Sequence, residues 1–104
     1  MYTVNKNINT RMSVKEKLEA VMTRLQSDMA LNENQASQIR GFVESHMASR
    51  REIKARHGEN KLARKAEVKP LRKKLRQDIG GVLTPEQKQT FQVNKTNYKS
   101  ILRG

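Results

Sequence analysis

The sequence predicts an all-α protein, and three observations carry that prediction. Apolar residues recur at helical spacing in four separate stretches. Three of these stretches open on a capping sequence. Aromatic residues are too few for a β-sandwich: two Phe, two Tyr and no Trp among 104 residues. The length admits one small domain, read as a flexible tail over 1–13 followed by a single helical domain over 14–104. Low hydrophobicity and a net charge of +12 place the composition near the border of disorder. Agreement between caps and apolar stripes argues for order instead.

The first helix is expected over 14–29. Val14, Leu18, Val21, Met22, Leu25 and Met29 form one stripe, and Ser13 with Glu16 makes a capping box. The second begins at Leu31-Asn-Glu-Asn-Gln35, with Asn32 as N-cap, Gln35 closing the box and Leu31 as the apolar residue before it. Ala36, Ile39, Phe42, Val43, Met47 and Ile53 carry its face to His57, and Gly58 stops it. Beyond Met47 only Ile53 remains apolar among Arg50, Arg51, Lys54 and Arg56, so this end reads as poorly covered, or covered by a partner.

A third helix, about 60–80, carries Val68, Leu71, Leu75, Ile79 and Val82 as a narrow seam suited to one neighbouring helix. Pro70 inside it removes a backbone donor and predicts a kink or break near Val68–Pro70. Gly80-Gly81 ends the segment as a hinge. The fourth helix opens at Leu83-Thr-Pro-Glu-Gln87, where Thr84 is N-cap, Pro85 sits at the first position and Gln87 closes the box. Phe91, Asn94, Tyr98, Ile101 and Leu102 supply its stripe.

Charge is concentrated. Between Arg50 and Arg76 twelve basic residues face only Glu52, Glu59 and Glu67, so most of the +12 lies there. Three acids cannot neutralise this run by i,i+4 pairing, and the excess attracts anionic partners. The chain has no Cys, no phosphate-binding Gly-rich loop, no H-E-x-x-H motif and no paired carboxylates in an apolar setting, so it reads as a non-enzyme without cofactor. His46 and His57 stand about 16 Å apart along one helix at ~1.5 Å per residue. They read as two exposed histidines, and no metal site is assigned. No stretch is long and apolar enough to span a membrane. The Met1–Ser13 segment has no apolar signal core, which leaves a cytosolic protein or the mature part of an exported one.

The two capping sequences repeat each other, each following a helix that ends in an apolar residue, with a long basic hairpin between them. In this pairing the chain resembles the LTxxQ-motif family of bacterial envelope proteins, which includes the Spy and CpxP stress proteins. The second copy matches the pattern closely, and the first departs by Asn32 in place of Thr, which keeps the cap chemistry. The resemblance covers roughly residues 15–95. It implies a thin, curved helical hairpin that forms an antiparallel homodimer, working in the periplasm as an ATP-independent chaperone or envelope-stress adaptor. A narrow seam and a kinked third helix would suit such a dimer. The resemblance gives Leu31, Asn32, Gln35, Leu83, Thr84 and Gln87 an architectural role. It assigns the basic, partly apolar surface of Arg50, Arg51, Lys54, Arg56, Leu62, Lys65, Val68, Lys69, Leu71, Arg72, Lys73 and Arg76 to unfolded or partner proteins. Two alternatives stand beside it: a nonspecific nucleic-acid-binding helical protein, and a periplasmic metal-responsive relative.

Overall fold

A computed structural model describes residues 13–103. The predicted tail therefore lies, Ser13 apart, outside the described residues. Four helices follow one another: α1 (Val14–Met29), α2 (Glu33–His57), α3 (Lys61–Gly80) and α4 (Pro85–Arg103). The described residues contain no strand, and none of their helices is long and apolar enough to cross a membrane.

Local chemistry sets the helix starts. Ser13 Oγ accepts from the Glu16 amide at 3.1 Å while the Glu16 carboxylate accepts from the Ser13 amide at 2.8 Å. That second bond holds the Glu16 carboxyl below its usual range. Asn32 with Gln35 and Thr84 with Gln87 repeat this reciprocal arrangement. For α3 the cap is Asn60, whose side chain accepts from the Ala63 amide at 3.1 Å. Ala63 has no side-chain acceptor to return, so that cap is half of a box.

The helix ends are less uniform. At the α2 terminus Gly58 adopts φ 56°, a conformation that favours glycine. Ala30, which ends α1, is also left-handed at φ 50° although it carries a Cβ. Gly81 sits at φ −66°, so the Gly80-Gly81 pair uses no glycine-only conformation. The chain leaves α3 through successive tight turns, Val82 N–H to Ile79 C=O and Leu83 N–H to Gly80 C=O.

Of the kink or break expected near Val68–Pro70, a break does not occur, because α3 runs without interruption from Lys61 to Gly80. Pro70 and Ala66 both lie on the exposed side of the helix. The Ala66 carbonyl that loses its donor therefore faces solvent, where water can satisfy it, and the penalty stays local.

Packing follows chain order in an unequal way. The α2–α3 hairpin and the α1–α4 pair are the main contacts, with a lesser one between α1 and α2. The described part measures 46 × 37 × 22 Å, about two helix diameters thick in its shortest direction. A single cluster joins Leu18, Val21, Met22, Leu25 and Met29 of α1 with Ile39, Val43 and Met47 of α2, Leu75 and Ile79 of α3, and Phe91 and Tyr98 of α4. Phe91 and Tyr98 stack at 5.4 Å between ring centroids. The Tyr98 hydroxyl donates to Asp28 at 2.8 Å and ties α4 to the end of α1. Burial and the neighbouring carboxylate push the Tyr98 hydroxyl pKa up. On the outer surface Arg40 binds Glu19 through two bonds, of 2.7 and 3.1 Å, joining α2 to α1.

The far end of α2 is better covered than expected. Ile53 is only 4% exposed within this one chain, and Val68 of α3 is buried as well. Both stand outside the main cluster, toward the turn of the hairpin. The cover that the sequence assigned to weak packing or a partner comes from α3.

Candidate binding groove

The two repeated motifs meet. Gln35 donates through Nε2 to the Val82 carbonyl and to Gln87 Oε1, both at 2.8 Å. In return Gln87 donates through Nε2 to the Met29 carbonyl at 3.0 Å and to Gln35 Oε1 at 3.4 Å. Each carboxamide thus caps its own helix with oxygen and reaches the loop preceding the other motif with nitrogen. Leu31 and Leu83 are both buried beside them. A glutamate could serve the cap but has no N–H to donate, which explains why this arrangement needs glutamine at both positions. The six motif residues are structural anchors, and their joint bonding network fixes α2 and α4 relative to each other.

Along the other end of the α2–α3 hairpin runs an open groove of about 560 Å³. Its walls carry eight cations: Lys17 of α1, Arg50, Arg51 and Lys54 of α2, and Lys61, Arg64, Lys65 and Arg72 of α3. Its apolar lining is Val14, Met47, Ile53, Val68 and Leu102. No lining residue is acidic or aromatic. Two carboxylates of α3 are used elsewhere. Glu67 receives His57 and Arg56 at the hairpin turn, and Asp78 receives Lys74 at 2.8 Å. The hydrogen bond with His57, with the Arg56 charge beside it, holds the Glu67 carboxyl below the ordinary range.

Of the surface residues expected from sequence, Arg50, Arg51, Lys54, Lys65, Val68 and Arg72 line this groove. Arg76 lines an adjoining cavity. Arg56 is instead turned into the Glu67 ion pair. Lys69 and Lys73 are exposed outside the groove lining, Leu71 is half-buried, and Leu62 stands 82% exposed without lining it either. Lys17, Lys61 and Arg64 also belong to the groove, beyond the surface residues that the sequence points to. The last two lie within the basic run and were legible there. Lys17 comes from α1, and only the packing of α1 brings it in.

The adjoining cavity holds about 250 Å³ and shares Arg50, Arg72 and Leu102 with the groove. All four helices wall it with core residues, including Val21, Leu25, Val43, Leu75, Ile79 and Phe91. Arg50, Arg72, Arg76, Lys95 and Lys99 complete its lining, again without an acidic residue.

His46 corrects the sequence reading. It is 5% exposed, buried between α2 and α3, and neither ring nitrogen has a hydrogen-bond partner. Burial lowers its pKa to about 4, and the positive charges of Arg50 and Arg72 add to the effect. The Leu71 backbone opposes the shift only weakly. The ring is neutral at pH 7 and fills space as an apolar side chain would. On the sequence its polar type reads as a surface residue. It falls, however, three residues after Val43 and seven after Ile39, on the buried stripe. His57, half-buried, is engaged by Glu67.

No protein-family profile, curated protein or solved structure matches this chain.

Proposed function

We propose that this protein is an ATP-independent periplasmic chaperone or envelope-stress adaptor, acting as an antiparallel homodimer and holding unfolded or partner proteins in the basic groove. The observation that carries the reading is the groove itself: eight cations, an apolar floor and no carboxylate. Such a surface attracts acidic segments over distance, then gives their apolar residues somewhere to rest. Lys and Arg stems extend that floor beneath their charges. The repeated motifs add the resemblance to the LTxxQ-motif family as a second support. Against a nucleic-acid reading stands the absence of any aromatic residue from the groove lining, which leaves no platform for base stacking.

The test is suppression of aggregation of a reduced, unfolding client, compared between the wild type and an Arg51→Glu/Lys54→Glu/Lys65→Glu variant. Capture by the variant should slow at least about tenfold at low salt, and the difference should shrink as salt rises. Equal capture by both proteins would make the groove a merely solvated face. Tight retention of DNA at physiological salt, with no protection of the client, would favour the nucleic-acid reading. Light scattering at tens of micromolar should report a dimer.

A further inference from the structure

Leu62, Lys65, Lys69, Lys73 and Arg76 follow one another along α3 at steps of three, four, four and three residues. That spacing puts them on one flank, about 100° around the helix from the buried seam of Val68, Leu75 and Ile79. All five are exposed, Leu62 at 82%. Over about 21 Å of helix, at ~1.5 Å per residue, the flank presents four cations and no acid. The carboxylates of α3, Glu67 and Asp78, belong to the other flank and are held by Arg56, His57 and Lys74. Among the described residues, no ion pair engages Lys65, Lys69, Lys73 or Arg76. Lys65 also lines the groove and Arg76 the adjoining cavity, whereas Leu62, Lys69 and Lys73 line neither.

We propose that this flank rests the protein on an anionic lipid bilayer, its four cations over the lipid phosphates and Leu62 entering the headgroup region. Shape favours a bilayer over a soluble polyanion. The flank has no walls to enclose a polymer, but a straight line of cations meets a flat charged surface along its whole length. Leu62 points the same way, because an exposed leucine gains only where apolar surface receives it. Three of the four cations are lysines, whose apolar stems lie along such an interface while the charge stays in water. The flank carries no aromatic residue on which a base could stack. Each cation close to an anionic membrane is worth about fivefold in affinity, so four of them give an attachment that is reversible and sensitive to salt.

Sedimentation of the full chain with vesicles of phosphatidylcholine containing about 30% phosphatidylglycerol tests this. The protein should pellet with these vesicles, stay in solution beside vesicles of phosphatidylcholine alone, and be released as salt rises. Lys69→Gln/Lys73→Gln removes two exposed charges outside the groove lining and should weaken vesicle binding about twentyfold. Lys15→Gln/Lys88→Gln removes the same charge from exposed sites on α1 and α4, and should weaken binding less than about threefold. Leu62→Gln should weaken vesicle binding at least about threefold and leave binding to double-stranded DNA unchanged. All of these positions are exposed, so the variants should melt near the wild type.

Equal losses in the two lysine variants would overturn the assignment, because net charge and not this flank would then attract the bilayer. Equal binding to neutral vesicles, or wild-type vesicle binding by Leu62→Gln, would overturn it as well. DNA held more tightly than the anionic vesicles at the same salt, with the same dependence on Lys69 and Lys73, would assign the flank to nucleic acid instead. Client capture is read separately: it depends on the groove residues Arg51, Lys54 and Lys65, so Lys69→Gln/Lys73→Gln should capture a client as the wild type does.

Discussion

The paired glutamines allow a sharp test, because glutamate preserves half of what each one does. In Gln35→Glu the carboxylate still accepts from the Asn32 amide, as Gln35 Oε1 does at 3.1 Å, but the bonds to Val82 and Gln87 disappear. Gln87→Glu likewise keeps the Thr84 bond and loses the one to Met29. Each change leaves a part-buried carbonyl without its donor, at about 1–3 kcal/mol. The new charge at a helix N-terminus returns about 0.3–1 kcal/mol through the helix dipole. Each single variant should therefore be about 1 kcal/mol less stable, lowering Tm by about 4–8 °C.

The double variant behaves differently. Two carboxylates would occupy the place where the amides now meet at 2.8 and 3.4 Å. Their repulsion in this half-buried setting adds about 1–3 kcal/mol beyond the sum of the single changes. The pair also holds protons more tightly folded than unfolded, so its carboxyl pKa is raised in the native state. Stability of the double variant should then recover as pH falls from 7 toward 4, the range in which the folded pair takes up a proton first. Circular dichroism melts of the four proteins at several pH values measure all of this. Additive losses, with a pH profile parallel to the wild type, would refute the meeting of the two motifs.

Two further predictions use other features of the fold. Ala30→Gly should stabilise the protein by about 0.5–1 kcal/mol, because the ~1–2 kcal/mol steric penalty of a left-handed alanine outweighs the extra freedom of glycine in the unfolded chain. A Tm that stays unchanged or falls would contradict the left-handed geometry at Ala30. His46 has a folded pKa of about 4, below its unfolded value, so its contribution is complete above about pH 6.5 and is lost as pH falls toward 4. The fall from about 6.5 to about 4 amounts to about 3 kcal/mol. His46→Leu should flatten urea midpoints between pH 6.5 and 4, and a profile as steep as the wild type would place the acid sensitivity elsewhere.

What was legible in the sequence was local. The four helices and their caps depend on residues three or four positions apart, and the expected α1 span, 14–29, is the observed one. The seam of α3 predicted a single main neighbour, which α2 provides. Other features depend on tertiary placement. Pro70 is tolerated because its side of α3, opposite the seam of Val68, Leu75 and Ile79, stays exposed and no neighbouring helix covers it. His46 looks polar by type and is buried by position. The groove was half visible: the basic run marked α2 and α3, whereas Lys17 and Leu102 enter from the two ends of the domain through the packing of α1 and α4. Leu62 is apolar and lies within that run, but its place in the first turn of α3 leaves it facing solvent.

The placement of the carboxylates joins the anchors to the groove. A chain with so few acids would gain stability by setting them among its cations, and several described acids do just that, at Arg24–Asp28, Arg40–Glu19, Arg56–Glu67 and Lys74–Asp78. None of those acids lines the groove or the cavity beside it, where the cations share one space and their repulsion opposes folding. Exposed ion pairs return little, about 0–1 kcal/mol each, so they cannot offset that strain alone. The firmer restraints are uncharged and lie elsewhere: the glutamine pair, the motif leucines and the stacked Phe91 and Tyr98. Neutral anchors keep their strength when salt or a bound anion changes the field around the groove. With no carboxylate in its lining, the groove keeps a positive field that favours an anionic partner.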